Sequence, residues 1–95
     1  MKFGLSNEVY IQIKNIIKKY KNYKFKIFGS RARGNYKYNS DIDLAIVGNV
    51  KKEDEFKILN EFDLLEIPYT IDIVFTEKIE KKELLCSIEE EGVDF

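Results

Sequence analysis

The chain has 95 residues, 44% of them apolar, with sixteen Lys or Arg against seventeen Asp or Glu, no histidine and one cysteine. This is the composition of a single globular domain, not of a disordered or membrane chain, and it excludes internal disulfides, imidazole catalysis and a Cys/His zinc site. The near-neutral total hides a polarity: residues 1–37 hold ten Lys or Arg and one Glu, residues 38–95 six Lys and sixteen Asp or Glu. Either the halves neutralise one another within the fold, or a basic wall stands beside an acidic site.

The opening MKFGLSNEVY lacks the apolar core of a signal peptide, and no apolar run approaches the roughly 20 residues of a membrane span, so a cytoplasmic protein is expected. In SNEVYIQIKNIIKKYKN, Ser6 or Asn7 serves as N-cap, Glu8 sits in the first turn, and Val9, Ile13, Ile16, Ile17 and Tyr20 share a stripe. The spacing predicts a helix over about Asn7–Lys21. YKFKIFG then alternates Tyr23, Phe25 and Ile27 with lysines, the period of a half-buried strand ending at Gly29. SRARGNYKYNS reads as a short helical turn and a loop, whose Tyr36, Lys37 and Tyr38 are expected to lay their apolar parts against the domain, the alternative being that they stack on a base or meet a partner. DIDLAIVGN is a second strand, closed by Gly48 and Asn49.

KKEDEFKILNEFDLLE has an acidic first turn and places Phe56, Leu59, Phe62 and Leu65 at helical spacing, with Pro68 barring continuation. YTIDIVF is a third strand, and EKIEKKELLCSIEEEG predicts a closing helix capped by Gly92, with Cys86 as a core filler. The order αβ(turn)βαβα over one domain, 1–95, predicts an α/β fold: a small mixed sheet with helices packed against it. A whole helix joins the second and third strands, as a parallel crossover requires.

Two aspartates open the second strand. Alternation sends Asp41, Asp43, Ala45 and Val47 to one face and Ile42, Leu44 and Ile46 to the other, the acids about 6.6 Å apart. Asp72 lies opposite Ile71, Ile73 and Phe75 in the third strand, and comes near the pair if the strands are neighbours. A lone aspartate at a strand edge is commonly just a solvated turn residue. Three that converge repel by about 3 kcal/mol per pair at an effective dielectric near 20, a cost that a divalent cation removes. An oxygen-only donor set suits Mg²⁺ or Mn²⁺, and such ions support phosphoryl or nucleotidyl transfer.

Gly29-Ser30 supplies the complementary half. A glycine after a strand lets the backbone approach a phosphate, a serine hydroxyl can donate to its oxygens, and the next N–H groups can form an anion-binding nest. Arg31 and Arg33 follow where they could neutralise a triphosphate or stand as solvated surface charges.

Gly29-Ser30, Asp41-x-Asp43 and Asp72 together resemble the signature of the DNA polymerase β-like nucleotidyltransferase superfamily, and "GSRARG…SDIDLAI" is most similar to its minimal nucleotidyltransferases. The resemblance implies a nucleotidyltransferase fold, ATP as substrate and two Mg²⁺ ions. Asp41, Asp43 and Asp72 would be the metal ligands and catalytic residues, and Gly29, Ser30, Arg31 and Arg33 the nucleotide-binding ones. It also implies an antitoxin that transfers AMP to a tyrosine of a HEPN-family RNase toxin and forms a hetero-oligomer with it. The alternatives are an antitoxin that neutralises by contact alone and a small-molecule nucleotidyltransferase. Nucleic acid is not the expected substrate, because the lysines of IKNIIKKYKNYKFK read as the solvent side of the first helix and strand.

Overall fold

The computed structural model describes residues 3–95. The Ser6 hydroxyl accepts the Val9 N–H at 3.3 Å and opens α1, Asn7–Lys19, which buries Val9, Ile13 and Ile16. The helix stops before the predicted Lys21 because Tyr20 leaves it and donates its hydroxyl to Glu61. The remaining elements are β1 (Lys24–Phe28), α2 (Ser30–Arg33), β2 (Ile42–Val47), α3 (Lys52–Asp63), β3 (Ile71–Phe75), a 3-10 turn (Thr76–Lys78), α4 (Lys82–Glu91) and β4 (Val93–Asp94).

The strands form one mixed sheet in the order β3-β2-β1-β4, with β2 parallel to β3 and β1 antiparallel to both β2 and β4. The expected α/β fold with a parallel crossover through α3 is therefore present. α1 and α3 pack on one face, where Ile13, Ile58 and Phe62 meet Ile27, Ile42, Leu44 and Ile46. α4 lies on the other, where Ile88 meets Phe28 and Ala45. Among the described residues no helix is long and apolar enough to cross a membrane.

Four local expectations are corrected. The buried stripe of α3 is Ile58 and Phe62, whereas Phe56 is 73% exposed and Leu59 42%. A series at strict i+3 spacing drifts round a helix of 3.6 residues per turn, while i, i+4 stays on one face. Cys86 is exposed because α4 turns Leu84 and Ile88 inward and position 86 faces away from both. The closing helix begins at Lys82, not near Glu77: the Thr76 and Glu77 side chains accept the Gly48 and Val50 N–H groups and hold that stretch in a separate turn. Gly92 does end α4, but in extended conformation, and leads straight into a fourth strand too short to show as a periodic segment.

Candidate active site

β1 ends on Phe28, and Gly29 turns the chain at φ +75° into the single turn of α2. That region favours glycine, and here space demands it as well: a β-carbon on Gly29 would stand 2.5 Å from Asp43 Oδ2. The Asp43 carboxylate thus rests against the Gly29 backbone.

Asp43 lies opposite Phe28 on β1 and beside Asp72 on β3, in register in both pairings. The parallel neighbour relation inferred for β2 and β3 puts the two aspartates on the α4 side of the sheet, one interstrand step apart. Asp43 is half-buried and Asp72 exposed. Asp41 precedes β2 instead of belonging to it, and it is exposed. It remains close enough to matter electrically. Burial first, then the charges of Asp72 and Asp41, push the Asp43 carboxyl above its usual range, and the Arg33 guanidinium pulls it back.

Arg33 is exposed on α2 and donates from Nη1 to Glu91 Oε2 at 3.0 Å. Glu91 had no role assigned from the sequence, although the ending IEEEGVDF that contains it is similar to the close of minimal nucleotidyltransferases.

Arg31 departs from the expected phosphate role. It is 2% exposed and points into the domain. Nη1 donates to the Phe3 carbonyl at 2.8 Å, Nε and Nη2 to the Ser40 carbonyl at 3.1 and 2.8 Å, and Nη2 to that of Tyr38 at 3.4 Å. The guanidinium carbon also lies 5.2 Å from the Tyr36 ring centre and 4.8 Å from that of Tyr69. Its guanidinium is thus taken up by carbonyls and rings of the domain. Tyr36 is half-buried in that stack, whereas Tyr38, expected against the domain, is 90% exposed.

Among the described residues no three carboxylates close into a ready metal cage. The donor set nevertheless suits a hard divalent cation, since Mg²⁺ takes only one or two carboxylates and fills its octahedron with waters and phosphate oxygens. Part of the raised proton affinity of Asp43, after burial, comes from the charges of Asp72 and Asp41, which a bound cation would offset. Asp41, Asp43 and Asp72 are the groups that could hold it. An open concavity of about 560 Å³ lies on the α3 side, where Phe56, Leu59, Phe62 and Ile73 line it, and the three aspartates take no part in it.

The family model of the nucleotidyltransferase domain matches residues 10–95. The chain belongs to that family, whose domains generally act on nucleoside triphosphates with divalent metals. A crystal structure at 1.40 Å of a Sulfolobus solfataricus protein provisionally assigned as a nucleotidyltransferase shares the fold, with a TM-score of 0.50 and 22% identity over 88% of this chain and 76% of that one. A search of curated protein sequences gives no significant match.

Proposed function

We propose that the chain transfers AMP from ATP to a hydroxyl of a partner protein, a tyrosine of a HEPN-family RNase toxin, and that it silences the toxin as its antitoxin. The observation that carries the transfer is the side-by-side placement of Asp43 and Asp72 with Gly29 directly against the Asp43 carboxylate. The acceptor rests on the resemblance of GSRARG and SDIDLAI to minimal nucleotidyltransferases. Exposed Asp72 and Asp41 leave the site open, as a protein acceptor requires.

Two Mg²⁺ ions, or Mn²⁺, held by Asp41, Asp43 and Asp72 would neutralise the triphosphate and lower the pKa of the acceptor hydroxyl. Gly29 offers its backbone and Ser30 its hydroxyl to the triphosphate, and Arg33 its guanidinium. Asp72 receives the acceptor proton as the hydroxyl oxygen bonds to the α-phosphorus. The bond from that phosphorus to the bridging oxygen breaks, and pyrophosphate leaves.

Incubating the protein with Mg²⁺, α-labelled ATP and the product of the adjacent gene should move label onto that product. No transfer within a correctly folded pair overturns the proposal. One observation favours a second reading, neutralisation by contact alone: the open apolar concavity on the α3 face, with Phe56 largely exposed. In that case the Asp41→Asn, Asp43→Asn double variant still protects cells from the toxin, whereas the transfer reading requires protection to be lost.

A further inference from the structure

Arg31 carries a buried positive charge that the proposed chemistry does not use. Its partners among the described residues are three carbonyls and two tyrosine rings, not carboxylates. An apolar side chain of similar length would fill the space without the cost of burying a charge, so filling alone does not account for an arginine.

What the guanidinium joins is informative. Arg31 sits on α2 directly after Gly29-Ser30. Its Nε and Nη2 fork holds the carbonyl of Ser40, the residue before Asp41. The Ser40 side chain and N–H in turn close the Lys37–Ser40 turn. The guanidinium also lies over the ring of Tyr69, three residues before Asp72, and the Ile42 N–H donates to the Thr70 carbonyl at 2.8 Å between the same two segments. One side chain therefore touches all three segments that bring the phosphate turn, the first aspartate and the last aspartate together. Only a planar group with five donors and two stackable faces can do this from a single position.

We propose that Arg31 is a positioning residue, a brace that sets the distances between the Gly29-Ser30 turn, Asp41 and Asp72. This rests on the reading of those residues as the nucleotidyl-transfer site. Arg31 touches no substrate; it acts through the backbone on either side of the groups that do.

The test uses the whole chain with Arg31→Met, which fills the space without the fork, and Arg31→Lys, which keeps the charge without it. The first readout is amide hydrogen exchange without metal or nucleotide, which reports local opening segment by segment. In Arg31→Met, exchange at residues 40–43 and 70–72 should rise about tenfold or more over the change in α1, and the Arg31→Lys pattern should follow Arg31→Met. The second is Mn²⁺ affinity with a non-hydrolysable ATP analogue, expected to weaken about tenfold in both variants. A uniform rise in exchange, no rise, or recovery of wild-type behaviour by lysine overturns the brace. If Arg31→Met does not fold, Tyr69→Leu takes its place: faster exchange confined to the same two segments supports the brace, and an unchanged or uniform pattern overturns it. A wild-type protein that binds neither Mn²⁺ nor nucleotide would sink the proposed function instead, while the exchange pattern still decides the role of Arg31.

Discussion

Asp43 on β2 and Asp72 on β3 are paired in register across parallel strands, so two like charges occupy adjacent positions on one face of the sheet. A folded protein gains nothing from that arrangement in isolation. Burial and the charges of Asp72 and Asp41 raise the Asp43 pKa, so the folded state holds its proton more tightly than the unfolded chain does. The stabilising contribution of that proton is present below the unfolded value of 3.8 and is lost as pH rises through the higher folded value. At neutral pH the ionised group is a net strain.

Asp43→Asn should therefore stabilise the fold while removing activity. Solvent screening at a half-buried site reduces the benefit to about 1 kcal/mol, or about 5 °C in Tm for a domain of this size. Nucleotidyl transfer should fall by more than about 100-fold. Thermal melts at pH 7 in chelator, beside a transfer assay, check both; a variant less stable than wild type would show that the repulsion is not felt.

Gly29 and Gly34 flank α2, both with positive φ, +75° and +87°, yet they predict different outcomes. At Gly34 a β-carbon meets nothing within 4 Å. Gly34→Ala should cost about 1–2 kcal/mol of backbone strain and leave transfer intact. Gly29→Ala carries more strain, because ψ −155° puts Gly29 outside the left-handed helical region that Gly34 occupies, and it also drives a methyl into the Asp43 carboxylate, so transfer should drop by about 100-fold or more with a larger loss of Tm. Equal activity in the two variants would contradict the placement of Asp43 over Gly29.

The aspartate placement was legible because a period of two sorts a strand into faces without knowledge of its neighbours: Ile42, Leu44 and Ile46 are buried as alternation requires. The β2–β3 adjacency was only inferred: a helix-length crossover permits a parallel pair but leaves open whether the two strands are neighbours, and the sheet order answers that. Arg31 was not legible, since nothing local distinguishes an arginine that reaches outward from one whose partners, Phe3, Ser40 and Tyr69, come from three separate segments. The same holds for Cys86 and Phe56. An apolar helical segment presents more than one plausible stripe, and only the tertiary neighbours decide which is buried.

α1 and α3 are tied by a polar cluster with its own pH signature. Glu61 accepts from Lys19 and from the Tyr20 hydroxyl. Those hydrogen bonds, that of Lys19 first, lower the Glu61 pKa from 4.5, and burial followed by the bond to Glu61 raises Tyr20 to about 12. The lowered carboxylate contributes stability above its unfolded value, lost as pH falls through the folded one. The raised phenol contributes stability below pH 10, lost as pH climbs from 10 toward 12. Tyr20→Phe should flatten the alkaline decline in Tm and shrink the acid one; an alkaline limb unchanged by the substitution would remove Tyr20 from the account.

Arg33 is held between Glu91 and the aspartates, and its pairing with Glu91 bears on nucleotide binding more than on stability. Both side chains are more than a third exposed, at 44% and 39%, so the ion pair contributes little to folding. Glu91→Gln should leave Tm within about 2 °C of wild type. The substitution also frees the guanidinium and removes one negative charge from the neighbourhood of a triphosphate, so the affinity for an ATP analogue should tighten by about two- to fivefold at low ionic strength. Arg33→Ala should move it the other way, by about tenfold, with the salt dependence of binding reduced. Titration of both variants at two salt concentrations checks the pair. If Glu91→Gln instead weakens binding, Glu91 holds Arg33 in the geometry that receives the phosphate, and the pair acts as a unit.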